Sequence, residues 1–498
     1  MVLQRTLQIE SLAARAHDVL RLSRWFRNLS QSVNRLPPEV LSRIIRYIPR
    51  EGDTDARSIV ALTHVCQYWR ELITSTPQNW TLISSRSMGL ATLSLRYAEA
   101  THSPALELRL RIDQLGRKSK FPKLINSQTQ KIKTLHFVGL SRIEDLTQTL
   151  PNFPQSAPNL LSLTLGGSID ADMKSRSVDP FESLTPNLRR LGLAGIPLYP
   201  SLLRLRALTE LDLYDHRFNL PLDTLLDFLE ENRSLKSTTL NIRFKDYSLE
   251  NSRREVAITD RLRYLSIDGV GNSFVAKALI SKFALRRGAH LKILSSHETW
   301  PDEILSGIPV TQFSNLSSPT FMEYVRRRKD DSIRLLGPNG SFSFQKYHNV
   351  NENYEEFPEG LRSLPLTDIR ELRLVRSGPG PEIPLGALDP PYFPAIETFV
   401  VVRSTRVLRL LSNLFSNPSS HPSLKTLAFL DCDFSEDFME KLTRFSSNRK
   451  NTTSAWLRRV VIVDSQGNIP SVGSVEGLRK YVPIVDVCMG KELPADLT

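Results

Sequence analysis

The chain has 498 residues, 40% of them hydrophobic and 24% charged, with a net charge of +12. That length exceeds what one core needs, so several domains or one extended repeat array is expected, and the composition argues against a largely disordered chain. Three scattered cysteines (Cys66, Cys432, Cys488), without CxxC spacing or histidine clusters, exclude a disulfide framework and a structural zinc site, and no run reaches the roughly 20 apolar residues that span a bilayer.

A reducing compartment, cytoplasmic or nuclear, fits this usage. Residues 1–33 place Leu3, Leu7, Leu12, Ala16, Val19, Leu20, Trp25, Phe26 and Leu29 at near-helical spacing among arginines. An amphipathic leading helix is expected there. An Arg-rich mitochondrial presequence is the alternative, weakened by Glu10 and Asp18 and by the folded module that follows.

The next segment opens with "LPPEVLSRIIRYI", residues 36–48. Pro37 and Pro38 suit a first helical turn, after which Val40, Leu41, Ile44, Ile45 and Ile48 recur at helical spacing until Pro49, Gly52 and Asp53 stop the helix. A second periodic run, Ile59, Val60, Leu62, Val65 and Cys66, leads into Tyr68, Trp69, Leu72 and Ile73, and Pro77 marks the boundary. Three helices in so short a span cannot bury all these apolar positions internally. The surplus packs on a neighbouring domain or binds another protein.

This region resembles the F-box, in the form that precedes leucine-rich repeats in large expanded fungal families of the basidiomycete type. The resemblance rests on "LPPEVLSRII" followed by "LTHVCQYWRELITSTPQNWTLI", over residues 34–84. It implies docking on a Skp-type adaptor of a cullin–RING ubiquitin ligase. Leu36, Pro37, Glu39, Val40, Leu41, Ile44, Ile45 and Ile48 are then the adaptor-facing residues of the first helix, joined by Val65, Cys66, Trp69 and Leu72. A polar insertion, "PREGDTDARS", separates the two parts.

From residue 85 to about 490 an apolar-x-x-apolar-x-apolar hexad recurs, as in "PNLLSLTL", "ALTELDL", "RLRYLSI" and "SLKTLAF". Its fourth position gives Leu135, Leu163, Leu191, Leu211, Leu265, Leu372, Phe399, Leu427 and Val460, with weaker copies at Thr238 and Leu294, mostly near 28 residues apart. Helical patterns ("LDTLLDFLEEN", "SFVAKALISKFALRRG", "VLRLLSNLFSN") lie between hexads. The alternation resembles a leucine-rich repeat. Each strand and helix unit has an apolar face that only stacking buries. The wide interval from Leu294 to Leu372 holds about two degenerate repeats, with "VTQFSNL" and "SFSFQKY" as candidates.

The fold class expected is therefore α/β, a short three-helix F-box-like module followed by an irregular leucine-rich-repeat solenoid with parallel strands on the concave face and helices outside. Concave positions Arg189, Arg190, Glu210, Asp212, Arg263, Arg370, Glu371 and Arg373 are the candidate target-binding residues, and their basic bias suits an acidic or phosphorylated protein. The cluster Arg326-Arg327-Arg328-Lys329, following Phe321, Met322, Tyr324 and Val325, reads as the polar end of a helix.

No glycine-rich phosphate loop, GxSxG, HExxH or paired Cys and His element is present, so neither catalysis nor a cofactor is expected. The Asp431 and Asp433 pair reads as a cap or loop. The partners expected are the adaptor, through it the ligase, and an unidentified target protein, with no membrane and no nucleic acid. A repeat scaffold acting outside any ligase is the alternative function.

Overall fold

The structure, a computed structural model, describes residues 15–24, 26–28, 30–48, 55–85, 87–99, 105–111, 127–140, 157–167, 187–196, 198–218, 222–244, 261–268, 273–281, 285–295, 314–347, 366–377, 393–412, 421–452, 456–465 and 470–489, with a few isolated positions. Contacts divide the chain into two units, Met1–Leu205 and Arg206–Thr498.

The first unit begins with a helix at residues 15–24 whose Val19, Leu20 and Leu22 are exposed. Three helices follow, α2 (Pro38–Tyr47), α3 (Asp55–Thr63) and α4 (Gln67–Thr74), the leading helix being α1. Then come the strands β1 (Leu82–Ser84), β2 (Leu106–Arg111), β3 (Ile132–Leu140), β4 (Ser162–Gly167) and β5 (Arg190–Ala194), with helix α5 (Met88–Glu99) between β1 and β2. Each strand lies parallel to the next. The register aligns Leu108, Leu135, Leu163 and Leu191, all buried, so the repeated leucines stack into one transverse row.

The second unit holds β6 (Glu210–Phe218), β7 (Ser237–Phe244), β8 (Tyr264–Asp268), β9 (Ala289–Ser295), β10 (Phe321–Arg327), β11 (Asp330–Gly337), β12 (Gly340–Tyr347), β13 (Glu371–Ser377), β14 (Thr398–Val402), β15 (Thr426–Leu430), β16 (Arg459–Asp464) and β17 (Ile484–Met489). Helices α6 (Leu222–Glu231), α7 (Ser273–Ile280), α8 (Val407–Leu410), α9 (Glu436–Thr452) and α10 (Val472–Arg479) connect some of them. Within this unit a row of register partners runs through Leu211, Thr238, Leu265 and Leu291, and another stretch through Leu372, Phe399, Leu427 and Val460.

Several sequence expectations change. Leu291, not Leu294, sits in register with Leu265, and Leu294 falls on the opposite face because side chains alternate along a strand. In the pattern at 273–288 helix α7 covers the first two turns, with Phe283 and Leu285 beyond it still buried, and in the pattern at 407–417 α8 covers one turn, with Ser412 and Leu414 also helical. Among the described residues between β9 and β13 lie three strands, where two degenerate repeats are expected. "SFSFQKY" falls within β12, whereas Ser314–Leu316 of "VTQFSNL" is a 3₁₀ turn.

These three strands form an antiparallel meander laid down in reverse spatial order: β12 pairs with β9, β11 with β12, β10 with β11, and β13 with β10. An odd number of antiparallel strands returns β10 and β12 to the common direction, so both outer neighbours pair parallel. The row passes unbroken through Phe342, Leu335 and Met322. The turn between β11 and β12 needs Gly340, whose φ is +134°; a Cβ there would lie 2.3 Å from the Ala289 carbonyl oxygen.

The basic cluster is therefore strand and hairpin turn, not a helix end: its first two residues close β10 and Arg328 and Lys329 form the turn. The pattern Phe321, Met322, Tyr324, Val325 contains both periods, and lateral pairing decides between them. A second correction concerns β14, β15 and β16. Their outward-alternating residues Val400, Val402, Ala428, Leu430, Val461 and Val463 form a buried cluster of their own. These strands are buried on both faces, as in sheets covered on both sides, so no open concave face exists along them.

One buried polar contact ties α9 to this region. Arg449 donates from Nη1 to the His421 carbonyl and from Nη2 to the Leu424 carbonyl, each at 3.0 Å. Burial, assisted by the Arg449 charge, lowers the His421 pKa from 6.5 to about 4, so the ring stays neutral in the fold. The unfolded ring takes up its proton first. The contribution is thus complete above pH 6.5 and is lost as pH falls to 4, at a cost of about 3 kcal/mol. Thermal melts from pH 7 to pH 4 should show a shallower loss of Tm for His421→Gln than for the wild type; equal slopes would remove His421 from the acid response.

Candidate functional site

Pro38 occupies the first turn of α2, and the preceding Pro37 is extended, as a residue before proline prefers. The helix then divides its apolar residues between two sides. Leu41 and Ile45 are wholly buried in the module's own core, whereas Val40, Ile44 and Tyr47 are 43%, 42% and 74% exposed. Their i, i+4, i+7 spacing makes one outward stripe.

The rest of the module holds that stripe in place. Helix α3 packs on α4 and β1, and α2 packs on α4. The Trp69 indole donates to Asn34 Oδ1 at 2.6 Å and half-buried Tyr68 reaches the Leu36 carbonyl, which pins the entry to α2 against α4. Trp80 is buried, donates to the Ile73 carbonyl at 2.9 Å and stacks on Tyr97 at 4.6 Å between centroids. The module is thereby closed by helix α5, which follows it.

Of the twelve first-module candidates, Pro37, Glu39, Val40, Ile44 and Val65 are exposed, and Leu36, Ile48, Cys66, Trp69 and Leu72 are half-buried. Leu41 and Ile45 point inward. Tyr47 was not among the candidates, yet it completes the exposed stripe; its position seven residues after Val40 is the sequence signal that marks it. Residues 49–54, most of the polar insertion, lie outside the described residues.

Within the second unit the candidate target-binding residues do not converge on one place. In the first unit Arg190 opens β5 and Arg189 precedes it. In the second, Glu210 and Asp212 lie on β6 and Arg263 precedes β8, while Arg370, Glu371 and Arg373 lie at β13, seven strands along the ladder from β6. At a spacing near 4.8 Å that is about 34 Å. Glu371 and Arg373 are moreover occupied with each other at 2.6 Å, and Arg373 covers the Phe321 ring.

A different set of charges is brought together by register. One step beyond the last apolar row, Lys346, Asp331, Arg326 and Arg376 are successive partners on β12, β11, β10 and β13. Arg403 and Asp431 directly follow β14 and β15 and Asp464 ends β16, extending the row across seven strands. Lys346, Asp331 and Arg326 are fully buried, with Tyr324 donating to Asp331 Oδ2 at 2.6 Å and Arg326 Nε 3.8 Å from Asp331 Oδ1. Burial, with the Asp331 charge adding, pushes the Tyr324 phenol well above its ordinary pKa of 10.

Towards β16 the row opens into a cavity of about 530 Å³ whose lining includes Arg376, Arg403, Asp431, Asp433, Phe434 and Asp464. Arg403 and Asp431 have φ of 59° and 50°, uncommon for residues other than glycine. Cys432 also lines it, but burial pushes its thiol up to about 12, which removes it as a nucleophile. Asp433 does not cap α9. Ser435 does, accepting from the Phe438 amide. Among the described residues no group of ligating side chains suits a metal ion, and no helix is long and apolar enough to cross a membrane.

Residues 33–86 match the F-box-like family model. No curated protein matches the chain. The matched span contains the whole stripe of Val40, Ile44 and Tyr47, so its split between core and surface has a direct test. Ile45→Ala should lose about 2–5 kcal/mol in denaturant unfolding. Ile44→Ala should stay within about 0.5 kcal/mol of the wild type. Comparable losses at both positions would contradict the assignment.

Proposed function

We propose that this chain is the target-recognition subunit of a Skp–cullin–F-box type ubiquitin ligase. Its F-box-like domain at residues 33–86 docks on the adaptor, and the strand ladder, read as an irregular leucine-rich-repeat solenoid, holds the target protein. The observation that carries the reading is the exposed stripe of Val40, Ile44 and Tyr47 inside the matched span. An apolar helix face of this kind, with Val65 exposed as well, has the make-up of a surface that a partner covers.

Glu39 and Pro37 stand at the exposed start of the same helix, where they supply a polar rim to the apolar centre. Half-buried Leu36, Ile48, Cys66, Trp69 and Leu72 support the stripe from beneath or join its edge. Leu41 and Ile45 act through the module's core, by holding the helix at its angle. Catalysis belongs to the other ligase subunits. This chain contributes proximity, since tethering a target raises the local concentration of its lysines at the ubiquitin-charged enzyme.

Co-purification with a Skp-type adaptor tests the proposal. The wild-type chain should co-elute with the adaptor at one-to-one stoichiometry, and Val40→Asp combined with Ile44→Asp should abolish co-elution while leaving the melting temperature unchanged. Failure of the wild type to co-elute, or undiminished co-elution of the double variant, would overturn it.

A further inference from the structure

Half of the large apolar side chains exposed among the described residues lie between Val19 and Val65. The stripe on α2 supplies Val40, Ile44 and Tyr47, while Val19, Leu20, Leu22 and Phe26 stand on α1 or just beyond it. So dense a patch marks a surface that a partner covers, and it extends past α2 onto the leading helix.

Helix α1 has two different sides. Val19, Leu22 and Phe26 recur at i, i+3 and i+7 and are exposed. His17, Arg21 and Arg24, with Asn28 in the helical residues that follow, recur at i, i+4, i+7 and i+11 and, with Leu20, line a cavity of about 410 Å³. Gln67, the first residue of α4, closes its other side. The two walls are tied together through Asn34, whose Nδ2 donates to the Asn28 carbonyl and whose Oδ1 accepts from the Trp69 indole, each at 2.6 Å.

Charge decides what enters. Two guanidinium groups and an imidazole line the cavity, and among the described residues no carboxylate does. Asp18 and Glu71 stand outside the lining, each held by a neighbour on its own helix. Arg21 Nη2 lies 3.6 Å from Asp18 Oδ1 with both side chains mostly exposed, a pair that contributes less than about 1 kcal/mol and exchanges readily for a better acceptor. The Arg24 and His17 side chains hold no hydrogen bond or ion pair among the described residues. A carboxylate suits such a lining, since guanidinium groups grip it with paired, charge-assisted bonds.

Position selects the source of that carboxylate. Val65, 54% exposed, precedes Gln67 by two residues, no more than about 7 Å of chain, so the cavity adjoins the adaptor-facing surface. We infer that the cavity receives an acidic segment of the Skp-type adaptor, with carboxylates against Arg21 and Arg24 and an apolar side chain against Leu20. The volume, within the range of ligand sites, accommodates a few side chains. The inference rests on the reading of residues 33–86 as the adaptor-binding domain, and adds a charged contact that lies mostly outside that span.

Titrating purified Skp-type adaptor onto the immobilised full chain, in salt of about 0.05 M and about 0.5 M, tests it. The wild-type affinity should fall with salt. Arg21→Glu combined with Arg24→Glu should weaken binding about tenfold at the lower salt and remove most of the salt dependence. Arg15→Glu combined with Arg27→Glu makes the same change of net charge on the same helix outside the cavity, and should stay within about twofold of the wild type. Equal losses in the two double variants, no loss in the first, or a wild-type affinity indifferent to salt overturns the proposal. Self-association of the wild type in light scattering, abolished by the cavity variant alone, would give the cavity to a second copy of the chain and overturn it as well. The two readings separate cleanly: a wild type that binds no adaptor at either salt sinks the ligase assignment, whereas full binding by the cavity variant beside lost binding by Val40→Asp with Ile44→Asp sinks the cavity alone.

Discussion

One transverse row of apolar side chains is the constraint on which the second unit depends. Leu211, Thr238, Leu265, Leu291, Phe342, Leu335, Met322, Leu372, Phe399, Leu427, Val460 and Val485 are register partners across twelve strands. A slip of one residue at any strand would turn its whole apolar set to the other face. The meander of β10–β12 is accommodated because alternation survives reversal of chain direction. What the insertion must supply is an apolar residue at the shared position, and Met322, Leu335 and Phe342 do so.

The charged row four residues further along is the counterpart of that constraint. Where it is buried, Arg326, Asp331 and Lys346 stand in one register line, and the Tyr324 hydroxyl donates to Asp331 Oδ2. Buried charges of this kind add little net stability, but a mispaired hairpin would strand them without partners, so they discriminate the correct register from neighbouring ones. Where the row reaches the strand ends beyond β13 it faces a cavity.

The F-box-like module was legible because its evidence is local. Helix start, helix period and the Trp and Pro positions all lie within a few dozen residues, and α2, α3 and α4 follow the pattern. Periodicity could not say which apolar residues face outward: Ile44 and Ile45 are adjacent in sequence and opposite in role, since successive helical residues point about 100° apart. The Arg326 to Lys329 cluster misled because a short apolar run followed by charge suits a helix end and a hairpin equally. The candidate target-binding residues share only a position within the hexad, and hexads far apart in the ladder cannot share a site.

From the amino-acid sequence alone come the repeat of apolar hexads, the positions of most strands and the module at 34–84, because each depends on the order of neighbouring residues. Tertiary structure alone decided the reversed meander, the burial of both faces of β14–β16, the inward turn of Leu41 and Ile45, and the gathering of Arg376, Arg403, Asp431 and Asp464. These residues are tens of positions apart in the chain. Only lateral hydrogen bonding between strands, which fixes register to the single residue, brings them to one edge.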